Sequence, residues 1–285
     1  MTAAVRFTKM QGIGNDYVYI NGFEDRVENP GELARRISDR HFGVGSDGLV
    51  LILPSGTADV RMRMFNADGT EAEMCGNAIR CVGKYVHDHG ILSKDVIRVE
   101  TRAGEKVVRL LSEGGEVCGA TVDMGEPELN PALIPVLDEQ PDGSQRFVAR
   151  PVAVGGATYA VTAVSMGNPH AVVFLEGIDA LNLPELGPQF EHHPLFPQRT
   201  NTEFVEVLSS TAVRMRVWER GAGETLACGT GACAVAVACV LNGRTGRQVE
   251  VRLRGGVLKV HWDESSNHVY MTGGAETVFS GTYPL

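Results

Sequence analysis

The sequence predicts an α+β protein made of two homologous domains from an internal duplication, each a sheet wrapped around a central helix. The main observation is a repeat: VRMRMF at 60–65 returns as VRMRVW at 213–218, a displacement of 213 − 60 = 153 residues. At that displacement the segment 60–76 matches its partner at 7 of 17 positions, against about one expected from ordinary composition. In both halves an alternating strand pattern is followed by a loop, a Cys-Gly pair and an apolar helical segment.

Local patterns justify the elements in order. A Pro at 30 and a Gly at 43 bracket a short helix at 31–40. The alternating runs that end in VRMRMF and VRMRVW have the period of half-buried strands. The Ala-, Val- and Cys-rich segments 78–87 and 232–241 predict buried helices. Further alternating segments predict strands at 96–100, 106–111, 117–124, 249–253, 257–262 and 269–271. The Pro- and acid-rich segment 126–143 predicts an irregular connection between the halves.

Composition limits the class of partner. A length of 285 residues fits about two domains at roughly 150 residues each. The formal charge of −9 disfavours nucleic acid and anionic membranes as partners. The uncharged stretches 151–175 and 225–243 have too many Gly, Ala and Pro residues for membrane spans, so we expect buried core. The amino terminus does not resemble a secretory signal, which predicts a cytoplasmic protein with six reduced cysteines.

The two Cys-Gly pairs are the candidate chemistry. Each lies where a loop becomes a helix, so the unpaired amides of the first turn can bind an anion such as a carboxylate. The same position is expected to stabilise a thiolate and lower the thiol pKa. One such cysteine is more often a buried small hydrophobe than a reactive group. If the duplicated turns face one another, however, Cys75 and Cys228 form a pair suited to inversion at carbon, one thiolate removing a proton and one thiol returning it.

Two other roles for the thiols remain open. Zinc binding by Cys75, Cys81, Cys228 and Cys233 is disfavoured, because five residues separate Cys75 from Cys81 where structural zinc sites have two to four. Redox sensing by Cys75 and Cys228 is the second alternative. We expect the other four cysteines to be packing residues: Cys81, Cys118, Cys233 and Cys239. The two-thiol reaction requires no cofactor and no metal.

Five motifs, in this order, resemble diaminopimelate epimerases over essentially the whole chain: GIGNDYV, RMFNADGTEAEMCGNAIRCV, SMGNPHAVV, RTNTEFV and VWERGAGETLACGTGACA. The pattern is more distantly similar to proline racemases and phenazine-biosynthesis isomerases. The resemblance implies two β-barrel-like domains, 1–118 plus 268–285 and 119–267, with the active site in the cleft between them. The implied reaction is cofactor-independent interconversion of LL- and meso-diaminopimelate, toward lysine and peptidoglycan. It also implies a small-molecule substrate and a possible homodimer.

By the same resemblance Cys75 and Cys228 are the acid/base pair. The amides of Gly76, Asn77, Gly229 and Thr230 would hold the carboxylate at the reacting centre. The implied substrate-binding side chains are Asn15, Asn66, Asn168, Asn201, Glu219 and Arg220. Glu219 would receive an ammonium and, with His170, support proton transfer, while Arg220 would bind the distal carboxylate.

Several of these residues have plainer interpretations. Asn168 precedes a Pro and could only shape a turn. His170 could be a hydrogen-bonded core histidine, and Glu219 and Arg220 a surface ion pair. We expect Glu71 and Glu224, which the repeat aligns, to orient their loops. Some relatives have Gln where this chain has Gly48, so we expect one substrate hydrogen bond to be absent or supplied by water. A racemase of another amino acid, such as proline or hydroxyproline, is the alternative enzyme.

Overall fold

The computed structural model describes residues 4–137 and 145–285. Their helices are α1 (Pro30–Ser38), α2 (Gly76–Asp88), α3 (Leu183–Glu191) and α4 (Gly229–Leu241). Their strands are β1 (Ala4–Gly12), β2 (Asn15–Asn21), β3 (Gly48–Leu53), β4 (Val60–Asn66), β5 (Glu71–Ala72), β6 (Val96–Thr101), β7 (Gly104–Glu113), β8 (Glu116–Asp123), β9 (Arg150–Val154), β10 (Ala157–Ser165), β11 (Pro169–Phe174), β12 (Asn201–Ser209), β13 (Ala212–Glu219), β14 (Gly223–Thr225), β15 (Gln248–Leu253), β16 (Gly256–Trp262), β17 (Val269–Gly274) and β18 (Glu276–Pro284).

The chain divides into two compact units. Unit 1 comprises Met1–Asp123 with Thr272–Leu285, and unit 2 comprises Met124–Met271. The first boundary lies five residues beyond the predicted 118, because β8 continues without a break to Asp123 and pairs with β7 from Glu116 to Val122. At the second boundary, unit 1 resumes at Thr272, whereas the prediction had it resume at 268. The connection predicted at 126–143 is irregular up to 137, and its remainder lies outside the described residues.

The sheet of unit 1 has the strand order β18-β1-β2-β3-β4-β6-β7-β8, with the short β5 also paired to β4. The β2–β3 and β4–β6 pairs are parallel, and the other pairs in this order are antiparallel. Helix α2 packs against β1, β2, β7 and β8. Because β1 and β8 lie near opposite ends of this strand order, the sheet must curve around the helix.

Unit 2 repeats this arrangement. Its order is β9-β10-β11-β12-β13-β15-β16, with β14 paired to β13, and its parallel pairs are β11–β12 and β13–β15. Helix α4 packs against β10, β11 and β12 and also against β15 and β16. Every residue from Gly231 to Cys239 is buried, as expected for a helix that is apolar on all sides. The predicted fold class of two duplicated α+β domains is therefore confirmed.

The predicted helices after the Cys-Gly pairs are confirmed, and both begin two or three residues earlier than the composition suggests, at Gly76 and Gly229. Helix α3 was not predicted, because Pro184 and Pro188 interrupt its pattern. The internal repeat, however, does predict the position of α3. Adding 153 to the bounds of α1, 30 and 38, gives 183 and 191, which are the bounds of α3.

An equivalent ion pair braces the loop before each central helix. Arg63 binds both carboxylate oxygens of Glu71, with N–O distances of 2.7 and 3.0 Å. Arg216 binds Glu224 in the same way, at 2.8 and 3.0 Å. These pairs agree with the orienting role expected for the two glutamates. No helix among the described residues combines the length and apolarity that a membrane span needs.

The close packing of α3 on β13 gives a stability prediction. A Cβ built on Gly187 would lie 2.2 Å from Cδ2 of the Trp218 ring. We expect Gly187→Ala to lower the free energy of unfolding by about 1–3 kcal/mol through overpacking, although alanine is the better helix former. Urea unfolding would measure this loss. The matched control is Gly246→Ala, since a Cβ there would meet nothing within 4 Å; equal stability of the two variants would contradict the prediction.

Candidate active site

In unit 1, Cys75 is the residue immediately before α2. Its backbone is extended, with φ −133° and ψ 123°, and its carbonyl accepts the first helical hydrogen bond from the Ile79 amide at 3.0 Å. The amides of Gly76 and Asn77 belong to the first turn, for which a helix supplies no acceptor of its own. The positive end of the helix dipole lies at the same place. This turn can therefore bind a carboxylate next to a thiol.

The Cys75 thiol contacts a side chain from β2. It donates to Oδ1 of Asn15 at 3.3 Å, while Nδ2 of Asn15 donates to Oδ2 of Asp47 at 2.7 Å. An ionised carboxylate can only accept hydrogen bonds. Asp47 thus fixes the orientation of the Asn15 amide and turns its oxygen toward the thiol.

Asp47 belongs to a charged network that anchors the loop before β3. Arg40 binds Oδ1 of Asp47 at 2.9 Å and Oδ1 of Asp16 at 3.0 Å, and Lys9 binds the other oxygen of Asp16 at 2.8 Å. Burial and the negative charge of Asp16 raise the pKa of Asp47. Burial also opposes ionisation of Asp16, but the hydrogen bonds and charges of Lys9 and Arg40 outweigh it and lower the Asp16 pKa.

Two other predicted residues of unit 1 have side chains already hydrogen bonded within the unit. Asn66 ends β4 opposite Gly48 and donates from Nδ2 to Oγ1 of Thr70 at 3.1 Å. The side-chain oxygen of Asn77 accepts from Nη1 of Arg80 at 3.0 Å. What Asn77 presents to a ligand is consequently its backbone amide, as the sequence analysis expects.

In unit 2, Cys228 occupies the equivalent position before α4. Its backbone is extended, with φ −126° and ψ 112°, and its carbonyl accepts from the Ala232 amide at 3.0 Å. The Gly231 amide donates to the Cys228 sulfur at 3.4 Å, and the Thr230 hydroxyl lies 3.6 Å from it. The turn formed with Gly229 therefore repeats the thiol and first-turn amides of unit 1.

A buried acidic and imidazole cluster surrounds this second thiol. Glu219, at the end of β13, accepts from the Thr225 hydroxyl at 2.5 Å, and its charge acts on Cys228. His170 on β11 is fully buried, with Nδ1 2.7 Å from Oε1 of Glu203 on β12. Its Nε2 lies 3.0 Å from Oδ1 of Asn168. The structure thus brings Asn168 and His170 together, and Glu203 joins them.

The expectation of a lowered thiol pKa is wrong for Cys228. Burial raises its pKa well above the usual value, and the charges of Glu219 and Glu203 raise it further. The hydrogen bonds from Thr230 and Gly231 act in the opposite direction but do not compensate. Burial likewise raises the pKa of Glu219, against the hydrogen bond from Thr225. The surroundings of Cys228 therefore favour the thiol over the thiolate.

The loop after β13 is fixed by Asn201, the first residue of β12. Asn201 donates from Nδ2 to the Pro169 carbonyl at 2.8 Å, and its Oδ1 accepts from the Arg220 amide at 3.0 Å. The guanidinium of Arg220 donates to the Gln198 carbonyl at 2.9 Å through one nitrogen. Because a guanidinium carries five donors, it retains capacity for a carboxylate ligand.

The remaining cysteines do not form a second reactive site. Cys81, Cys233 and Cys239 are buried in the central helices, and burial raises the pKa of Cys81 to about 11 and that of Cys239 to about 12. The packing role expected for Cys118 is wrong, because it is exposed on an outward-facing position of β8. Within 4–137 and 145–285, no group of three His, Cys, Asp or Glu side chains is arranged to hold a metal ion.

The sequence analysis missed two residues of these networks, Asp47 and Glu203. A usable signal existed for Glu203: the displacement of 153 aligns it with Val50, so a charged residue stands where the apolar strand β3 has a valine. Asp47 aligns with Thr200 and carries no comparable signal, because an Asp just before a strand is common in turns.

Comparison with known proteins agrees with these motifs. The family model for diaminopimelate epimerase matches residues 7–130 and 162–278. A diaminopimelate epimerase of Desulfovibrio desulfuricans is 79% identical over 285 residues, covering 99% of each chain. One from Acetivibrio thermocellus is 60% identical, again over 99% of each chain. This chain belongs to the diaminopimelate epimerase family.

Solved structures extend the fold beyond close members of the epimerase family. A Bacillus anthracis phenazine biosynthesis protein of the PhzF family superposes with a TM-score of 0.70 at 16% identity, covering 99% of this chain and 100% of that one. A hydroxyproline epimerase from Agrobacterium vitis gives 0.69 at 15% identity, covering 100% of this chain and 94% of that one. At such low identity these neighbours establish a shared fold only.

The resemblance leads us to expect Gln in some relatives where this chain has Gly48. A Cβ on Gly48 would lie 2.1 Å from the Phe65 carbonyl oxygen and 2.7 Å from the Tyr17 ring. The backbone of β4 therefore leaves no room for a side chain at this position.

We expect Gly48→Gln to lower the free energy of unfolding by about 1–3 kcal/mol, because β4 must shift to admit the side chain. Chemical denaturation of both proteins would measure the difference. Gly56→Gln is the matched control, since the space around Gly56 is open. If Gly48→Gln proved as stable as that control, β4 would accommodate the side chain without loss of stability, and the prediction would be contradicted.

Proposed function

We propose that this chain is a cofactor-independent diaminopimelate epimerase, an isomerase that interconverts LL- and meso-diaminopimelate in the synthesis of lysine and peptidoglycan precursors. Membership of the family and 79% identity to a diaminopimelate epimerase support the substrate. The observation that carries the mechanism is structural. Cys75 and Cys228 stand immediately before two equivalent 13-residue helices, each with first-turn amides beside its thiol.

The proposed reaction needs both thiols. The α proton of an amino acid is weakly acidic, so its removal must be coupled to stabilisation of the carbanion and to reprotonation from the other face. One cysteine, as thiolate, forms an S–H bond with the departing proton, while the other breaks its S–H bond to deliver a proton. Negative charge that builds on the α-carboxylate is met by first-turn amides of both helices, a preorganised electrostatic stabilisation.

The surroundings of the two thiols support complementary roles. The raised pKa of Cys228 suits the proton donor of the resting enzyme. The Cys75 thiol donates to the oxygen of Asn15 at 3.3 Å, so this amide stabilises the protonated form that Cys75 reaches when it has taken a proton from the substrate. Turnover exchanges the two protonation states, so each thiol serves in turn as acid and base.

Charged residues at the edge of unit 2 support a substrate with a second ionic end. Glu219 would accept hydrogen bonds from the ammonium group, and the free donors of Arg220 would bind the distal carboxylate. Asn15, Asn66, Asn168 and Asn201 would complete the polar lining, and His170 would support proton transfer near Cys228. Proline offers no distal charge for Arg220, which disfavours the racemase alternative.

Isotope exchange tests the two-thiol mechanism. In deuterated water with LL-diaminopimelate, we expect the α-proton NMR signal to decay as meso isomer accumulates, and we expect Cys75→Ala and Cys228→Ala each to abolish both changes. Cys118→Ala, at an exposed thiol, is the matched control and should retain full activity. Epimerisation that survives the loss of either Cys75 or Cys228 would refute the mechanism. Exchange with proline, but not with diaminopimelate, would support the two-thiol mechanism in a proline racemase and refute diaminopimelate as the substrate.

Arg220 gives a specificity prediction. We expect Arg220→Met to reduce kcat/KM for diaminopimelate by about 10- to 150-fold, which corresponds to the ~1.5–3 kcal/mol of a hydrogen bond to a charged group. Steady-state kinetics would measure the loss. Arg109→Met, at an exposed position on β7, should leave kcat/KM unchanged. A similar loss in both variants would indicate a general charge effect rather than binding of the distal carboxylate.

We also propose that the enzyme works in the cytoplasm, where the reducing poise keeps both reactive thiols available. We further propose a homodimer on the family resemblance. Light scattering of the purified protein would test the assembly, with a mass near 30.6 kDa contradicting it.

A further inference from the structure

Glu203 is a carboxylate in the core of unit 2 that the strand framework does not require. Its side chain is 0% exposed. The displacement of 153 aligns it with Val50 of unit 1, and the sheet registers agree: Val50 pairs with Tyr19 and Met64, and Glu203 with Val172 and Val217. An aliphatic residue therefore satisfies this place in the fold. Burying a carboxylate there costs free energy, so the residue is expected to serve a role other than stabilising the fold.

Two residues near Glu203 also differ in type from their counterparts in unit 1. His170 replaces the counterpart of Tyr17 and places Nδ1 2.7 Å from Oε1 of Glu203. Gly231 replaces the counterpart of Ala78 in the first turn of the central helix. A Cβ on Gly231 would lie 2.6 Å from Oε1 of Glu203 and 3.2 Å from the Cys228 sulfur. The helix thus lacks a methyl group where the carboxylate needs room.

The hydrogen bonds of this trio orient the imidazole. Both ring nitrogens face acceptor oxygens: Nδ1 lies 2.7 Å from Oε1 of Glu203, and Nε2 lies 3.0 Å from Oδ1 of Asn168. The two contacts together fix the plane of the ring. The second oxygen of Glu203, Oε2, is buried without a hydrogen-bond partner in the described part of the chain.

We propose that Glu203 is a positioning residue, which fixes the orientation of His170 and places a carboxyl group behind the Cys228 turn. The groups that face Cys228 are then Glu219 from β13, Glu203 from β12, and the Thr230 hydroxyl and Gly231 amide from α4. Glu203 thereby acts on the reaction through His170 and does not touch the substrate. Carboxylates that orient a histidine in other active sites act in the same way. Its effect on turnover rests on the proposed function.

Two variants separate the parts of this role. Glu203→Gln retains an acceptor oxygen and the side-chain volume but removes the charge. Glu203→Val introduces the residue of unit 1 and removes both. Glu206→Gln, at a half-buried carboxylate on the same strand, is the matched control.

The first readouts need no substrate. In protein labelled with ¹⁵N-histidine, we expect the Nδ1–H signal of His170, assigned by its loss in His170→Asn, to persist in Glu203→Gln and to disappear or exchange rapidly in Glu203→Val. The pH midpoint for iodoacetamide labelling of Cys228, followed by peptide mass spectrometry, should move to lower pH in both variants, because a negative charge has been removed. Glu206→Gln should match wild type in both measurements.

The kinetic readout follows in the same proteins. We expect Glu203→Val to lower kcat by about 10- to 100-fold, as loss of an orienting partner does, with KM within about threefold of wild type, and Glu203→Gln to lose less. A folded Glu203→Val protein with wild-type His170 signals and labelling midpoint would overturn the proposal. If Glu203→Val does not fold, an unchanged labelling midpoint in Glu203→Gln overturns it equally. The wild-type protein could lack epimerase activity while the variants still show the expected changes in the His170 signal and the labelling midpoint. That outcome would refute the proposed function and leave the positioning role intact.

Discussion

Each unit depends on enclosing one helix within its own sheet. Because α2 and α4 are packed against strands from both ends of a strand order, their first turns are fixed by the core rather than by a loop. The amides of a first turn are obligatory donors without helical acceptors, and here they are held beside Cys75 and Cys228. The position of the thiol, the direction of the helix dipole and the anion-binding amides are thus consequences of one packing arrangement.

Duplication produced equivalent frameworks with unequal electrostatics. One neighbour of Cys75 is a neutral amide, Asn15, whose orientation is set by Asp47. Around Cys228, burial raises the thiol pKa, and the charges of Glu219 and Glu203 raise it further. The two thiols thus occupy equivalent positions before their helices, while different side chains surround them.

The sequence predicted the parts of this molecule that depend on local pattern. The central helices and their Cys-Gly starts follow from composition and the repeat, and the repeat contained α3 as well, although two prolines hid it. The raised pKa of Cys228 was not predicted, because it depends first on burial of the thiol and then on the charges of Glu219 and Glu203, and Glu203 approaches through strand pairing. The orientation of Asn15 likewise depends on Asp47, which lies 32 residues away. Sequence patterns do not predict such interactions, because strand register, and not proximity in sequence, brings the partners together.

The pairing of β1 with β18 has a consequence for biosynthesis. These strands are the first and the last described segments of the chain, and their ladder runs from Ala4–Pro284 to Gln11–Glu276. Unit 2, in contrast, is continuous from Met124 to Met271. Because β1 is synthesised before unit 2 and β18 after it, unit 1 cannot complete this ladder until β18 has left the ribosome. The usual order of domain completion, amino-terminal first, therefore does not hold for unit 1.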